Sequence, residues 1–180
     1  MGSSEANHGR HNLIRDATFA FLKRSLPTNH TVEKEAWIPN PIAGERQLKA
    51  DIAIFSNGTA QYFDFKITNP SNRSYISDGL INVGDAAKDA EKAKITHYVK
   101  SYGDCMNEML TPLVMETTGR LGPEFSKFLE AKCNFSIPDD RLKSAREFLN
   151  KRISALLAKG NARIIRTTRD RTRPAIRSRR

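Results

Sequence analysis

Between Ala50 and Thr68 apolar and polar positions alternate, break once at Asn57-Gly58, and resume. The segments ADIAIFS (50–56) and TAQYFDFKIT (59–68) are rich in β-branched and aromatic residues. Asn-Gly between two such runs predicts a hairpin closed by a two-residue type I′ turn. The flanking stretches follow a longer period. Leu13, Ala17, Ala20 and Phe21 recur at helical spacing over Asn12–Ser25, Phe19 and Leu22 widen the stripe, and Pro27 ends it. A short strand is expected near Thr31–Ile38, followed by a loop built on Pro39, Asn40, Pro41 and Gly44. Asp85–Tyr102 reads as a long helix, Leu110–Thr117 as a strand broken near its start by Pro112, and Glu124–Lys132 as a helix. A last helix over about Asp139–Lys159 starts from the capping pair Asp139-Asp140 and stops at Gly160. The order helix, three strands, helix, strand, helices predicts an α/β fold with a mixed central sheet flanked by helices. One domain over 1–159 and a flexible basic tail over 160–180 are expected.

A two-residue turn fixes the strand register. Ser56 then faces Thr59, Ile52 faces Phe63, and Asp51 faces Asp64. Side chains alternate between sheet faces. One face holds Ile52, Ile54, Phe63, Phe65 and Ile67 with Gln61, and explains why the hairpin folds onto a core. The other holds Asp51, Asp64 and Lys66 with Ala53, Phe55 and Tyr62. Like charges opposed at roughly 5 Å are destabilising, so the pair needs a cation or a raised pKa. A hard divalent ion, Mg²⁺ or Mn²⁺, prefers carboxylate, carbonyl and water ligands, and the candidate metal set is Asp51, Asp64 and Phe65. Lys66 lies on the same face and can hold a water or steady a phosphate oxygen. Asp51, Asp64 and Lys66 thus suit hydrolysis of a phosphodiester. Glu33 or Glu35 of the preceding strand could add a carboxylate, and both share one strand face. Asp-x-Lys also occurs on solvated sheet faces, so the register and the clean apolar opposite face carry the weight here.

Charge sharpens the choice of substrate. The formal net charge is +10. Gly160–Arg180 carries eight arginines against the single acid Asp170, so this stretch holds +7 of the total. Such a run favours a polyanion, nucleic acid first and an acidic membrane surface second, or serves as a solubilising or nuclear-targeting tail. Candidate DNA contacts are Lys49, Lys94, Tyr98, Arg163, Arg166, Arg169 and Arg171. Lys94 and Tyr98 lie one turn apart on the long helix and can touch phosphate, or they can belong to a solvated face with Glu91 among its lysines. Two cysteines, Cys105 and Cys133, form no disulfide framework, and no Cys-x-x-Cys suggests a structural zinc. No apolar run approaches the roughly 20 residues that span a bilayer, and the polar N-terminus lacks a secretory pattern. No membrane partner is expected, and an intracellular location, nuclear or cytoplasmic rather than secreted, is. Trp37 is expected in the core, Cys105 as a buried thiol, and His8, His11, His30 and His97 as scattered histidines without metal spacing.

The stretch KADIAIFSNGTAQYFDFKITNP resembles the PD-(D/E)XK nucleases, and more narrowly the restriction-like endonuclease domain of site-specific non-LTR retrotransposons. The family pattern is Lys or Arg, Pro, Asp, twelve to fourteen residues, then Asp or Glu. Here Lys49, Ala50 and Asp51 stand first, twelve residues intervene, and Asp64 follows; Ala50 replaces the proline, and Lys66 matches the motif lysine. GRHNLIRD (9–16), AEKAKITHY (90–98) and LTPLVMETTGRLG (110–122) extend the similarity over most of 9–135. The resemblance implies a restriction-endonuclease-like core and a metal-dependent DNA endonuclease, with Glu35 rather than Glu33 at the first acidic position. It also implies a detached or host-borne copy working with a reverse transcriptase or another specificity subunit. The alternatives are a binding module that keeps this fold without turnover, and an unrelated interaction protein docking through its arginines.

Overall fold

The Asn57-Gly58 dipeptide turns the chain as its sequence predicts. Both residues have positive φ, 49° and 75°, as a type I′ turn requires. The turn joins β2 (Lys49–Ser56) to β3 (Thr59–Thr68), and the pairs run from Ser56–Thr59 to Ile52–Phe63 in the predicted register. The computed structural model describes residues 2–40, 47–77, 82–132 and 139–172. The remaining elements are α1 (Gly2–Ser25), β1 (His30–Trp37), α2 (Arg73–Ser77), α3 (Asp85–Tyr102), α4 (Met106–Met109), β4 (Leu110–Glu116), α5 (Pro123–Lys132) and α6 (Asp139–Thr172).

Four strands form one open sheet in the order β1-β2-β3-β4. The first three are antiparallel neighbours and β4 runs parallel to β3, so the sheet is mixed and the fold is α/β. A parallel pair needs a long crossover, which the segment carrying α2, α3 and α4 provides. Pro112 is tolerated in β4 because this is an edge strand. Val114 accepts from Gly122 N–H, and Glu116 N–H donates to Arg120, both on the side away from β3. Pro112 shares their parity, so its missing N–H costs the ladder nothing.

Both sheet faces are covered. Under α1, α5 and α6, Ile52, Ile54, Phe63 and Phe65 pack with Ile14, Leu22, Phe125, Phe128, Leu149, Ile153 and Leu157. Phe63 meets Phe128 edge-on with ring centroids 5.0 Å apart. Each such fully buried side chain contributes about 1.5–3 kcal/mol. On the opposite face the small residues Ala50 and Ala53 leave room for Tyr98 and Tyr102 of α3, with Met106 and Leu110 alongside. That face, read from the sequence as the chemical one, is half core.

Several expectations are corrected. The first helix begins at Gly2 rather than Asn12, and the last does not stop at Gly160 but runs on to Thr172. Gly160 is an interior helix residue at a close crossing: a Cβ there would lie 2.5 Å from Arg10 Cγ of α1. The glycine makes room for the Arg10 side chain of α1, a role that looks the same in sequence as a C-cap. The tail is therefore helical through Thr172, and the remaining residues 173–180 lie outside the described part. Cys105 is exposed, not buried; Cys133 is not described. Trp37 is 57% exposed rather than core. Its placement follows from Glu35, whose φ of 52° is left-handed. Val32 packs under α1 while Ala36 packs under α3, although regular alternation puts residues four apart on one face. The twist at Glu35 exchanges the faces and turns Trp37 outward.

Candidate active site

Asp51 lies where the hairpin strands part. The last ladder pair is Ile52–Phe63, so Asp51 and Asp64 are not the ladder pair that the register arithmetic predicts. Instead Asp51 Oδ2 accepts a hydrogen bond from Phe65 N–H at 2.7 Å, its side chain standing in for a main-chain acceptor. The Asp51 and Asp64 carboxyls still lie within hydrogen-bonding reach of each other. Asp64 is nearly buried in the middle of β3. Its Oδ2 is bonded to the Lys94 ammonium and, at 3.0 Å, to the Tyr98 hydroxyl. Lys94 and Tyr98 are four residues apart on α3, so one helical face presents both to the same carboxylate. The Tyr98 hydroxyl also lies 3.2 Å from the Lys49 carbonyl, so its single proton serves two acceptors. From α1, His11 Nε2 approaches Asp51 Oδ2 at 3.1 Å, with its ring edge-on to Phe65.

The carboxyls are electrostatically unequal. Burial and the adjoining Asp51 push Asp64 up to about 6, and Lys94 only partly offsets them. Burial also opposes ionisation of Asp51, but the hydrogen bonds from His11, Asp64 and the Phe65 N–H outweigh it and hold Asp51 below the usual carboxylate range. Burial pulls the His11 imidazole down, and its bond to Asp51 more than reverses this. Lys66 is depressed by burial and then by the neighbouring Lys94. Burial and the nearby Asp64 raise Tyr98, which keeps its proton.

Asp51, Asp64, Phe65 and Lys66 line one cavity of about 830 Å³ together with Lys94 and His11; His8 and Arg10 of α1 and Ile164 of α6 also line it. Of the expected catalytic residues only Glu35 is elsewhere: its carboxylate accepts from Arg15 Nη1 at 2.7 Å. Glu33 is exposed, opposite Ala53. Lys49 is not among the residues that line the cavity; its ammonium lies over the Trp37 ring. Arg163, Arg166 and Arg169 are exposed along the stretch of α6 that holds Ile164; the Arg171 side chain is outside the described part. Lys94 and Tyr98, read as phosphate contacts, sit on the acidic centre itself. His11 carried no sequence signal, because its partner is forty residues away.

Among the described residues no three carboxylate, imidazole or thiolate groups converge in metal-binding geometry. A magnesium ion does not demand three, since it is commonly held by one or two carboxylates, with water and substrate phosphate completing its shell. The donors fit that chemistry: two adjacent carboxyls, one held ionised and the other pushed up by burial and by its acidic neighbour, a cost that a bound cation would relieve. Among the described residues no helix is long and apolar enough to cross a membrane. Compared with known families and curated proteins, the chain matches no family model and no curated protein at significance.

Proposed function

We propose that this protein is a metal-dependent DNA endonuclease of the PD-(D/E)XK type with a restriction-endonuclease-like core, hydrolysing phosphodiester bonds. The observation that carries the reading is the meeting of Asp51 and Asp64 in one cavity with the amines of Lys66 and Lys94. Asp51, Asp64 and Phe65 would hold Mg²⁺ or Mn²⁺, which when bound supplies a Lewis acid for the phosphoryl oxygen and the departing oxygen. Lys94 balances Asp64 and fixes its rotamer. His11 and the Phe65 N–H do the same for Asp51, so both carboxylates are oriented before substrate arrives. Lys66 carries no salt bridge among the described residues, and its depressed pKa suits an amine that orients the attacking water. DNA is the favoured polyanion because the exposed Arg163, Arg166 and Arg169 lie on the stretch of α6 whose Ile164 lines the cavity. A retrotransposon origin, a reverse transcriptase or other specificity partner and an intracellular location, nuclear or cytoplasmic, accompany this reading.

A plasmid-nicking assay tests it. With Mg²⁺ the supercoiled form should convert to nicked or linear product. Asp64→Ala should slow conversion by about 10²–10³, the scale of losing one preorganised charge-stabilising group. Plasmid binding without cleavage by the wild-type protein would instead identify a binding module.

A further inference from the structure

Trp37 stands at the end of edge strand β1 with more than half of its surface exposed. Tryptophan is rarely left so open in a folded domain. The register pairs Trp37 with Lys49, and the Lys49 ammonium sits over the indole, 4.4 Å from the ring centroid. That cation–π contact orients the ring and holds an amine over one of its faces. The Lys49 main chain is tied to the acidic centre, since its carbonyl and Asp64 Oδ2 both lie within 3.2 Å of the Tyr98 hydroxyl. Along β2, Lys49 is two residues from Asp51, about 7 Å at ~3.3 Å per residue. Stacked bases rise about 3.4 Å per step.

We infer that Trp37 and Lys49 form a stacking platform for an unpaired base of the nucleic acid held at the Asp51–Asp64 centre, a few nucleotides from the bond to be cut. The indole offers the face opposite Lys49 to the base, and the Lys49 ammonium takes the neighbouring phosphate. A flat aromatic surface beside an ammonium is the arrangement by which single strands are bound without sequence preference. A duplex keeps its bases paired and stacked on one another, so the platform selects substrates with a single-stranded or frayed flank. This inference rests on the nuclease reading only for what the flank is attached to.

The chain has a single tryptophan, so its fluorescence reports on this one site. Asp64→Ala protein, which binds without cutting, is titrated with a ten-nucleotide oligo-dT, with a blunt duplex, and with the same duplex carrying a three-nucleotide overhang. Oligo-dT and the overhang duplex should quench the emission, and the blunt duplex should quench it much less. By anisotropy of a labelled overhang duplex, Trp37→Ala should raise Kd about 10-fold, and Trp37→Phe should recover most of that loss. Lys49→Gln leaves the indole in place, so its quenching curve should shift to higher oligonucleotide concentration. If the labelled overhang duplex binds while the emission stays constant, or binds no better than the blunt one, the platform is overturned and the nuclease reading stands. If quenching occurs but wild-type protein never cuts DNA, the platform stands and the nuclease reading does not.

Discussion

Two carboxyls in one buried site, of which one is pushed up to about 6, set the pH behaviour at the residue scale. Catalysis needs Asp64 ionised, so the nicking rate should rise as pH climbs through about 6 and level off above it. Below that point the expected slope is about tenfold per pH unit. Stability of the metal-free protein should move the other way. The folded-state value for Asp64 exceeds the ordinary carboxyl value of 3.8, so its proton is held more tightly folded than unfolded. That contribution is fully present below pH 3.8 and is lost as pH rises through 6. Asp51 shifts in the opposite direction, and its window lies in acid, below the ordinary value. The Tm should therefore fall between pH 5 and 7.5. Mg²⁺ should restore it at pH 7.5 and do little at pH 5, where Asp64 is protonated. Thermal melts at both pH values, with and without the ion, check this; equal Mg²⁺ stabilisation at both would remove Asp64 from the metal set.

Single elements show what the sequence reveals and what it hides. The hairpin was legible because its turn is local: Asn57 and Gly58 alone fix the register, and alternation then assigns the faces of Ile52, Ile54, Phe63 and Phe65. The meeting of Asp51 with Asp64 was legible for the same reason, although the ladder ends one pair earlier and Asp51 turns onto the Phe65 N–H. The exposure of Trp37 was not, because it depends on one left-handed residue, Glu35, with no glycine to announce it. His11 and Lys94 were missed as partners of the acids because helices α1 and α3 reach the sheet only in the folded chain. Gly160 was misread because a helix stop and a helix crossing call for the same residue. The crossing makes a prediction. Gly160→Ala gains up to about 1 kcal/mol of helix propensity, but its Cβ would meet Arg10 Cγ at 2.5 Å and Arg10 Cβ at 2.8 Å. Overpacking of this kind typically costs about 1–3 kcal/mol, so the net effect should be a lower Tm, by about 2–6 °C for a chain of this size. A higher Tm, as at an ordinary exposed helix glycine, would show that α1 and α6 do not approach so closely.

Taken whole, the molecule places its charge with more purpose than a tethered tail. Past Gly160, α6 continues beside α1, and Asn161 fastens it at the rim of the cavity. Its Oδ1 accepts from Arg10 Nη1 at 2.7 Å, and its Nδ2 donates to the Thr117 carbonyl at 2.8 Å. Arg10, Thr117 and Ile164 all line the cavity that holds the acids. Arg163, Arg166 and Arg169 thus sit on a helix fastened beside Asp51 and Asp64, whereas a flexible tail would only raise the local concentration of DNA. The two arrangements differ in a measurable way. Exchanging Arg163 and Arg166 for glutamine should lower the slope of log K against log salt by about 2, one phosphate contact each at ~0.9 per contact. Asn161→Ala keeps every arginine but cuts the fastening. For a fixed arm it should raise KM for nicking and leave the salt slope of binding nearly unchanged, because the charges remain while their alignment with the cavity is lost. For a mere tether it should change neither, since a mobile cation cluster has no alignment to lose. The comparison separates positioning from attraction on the same helix, with circular dichroism confirming that α6 stays helical in each variant.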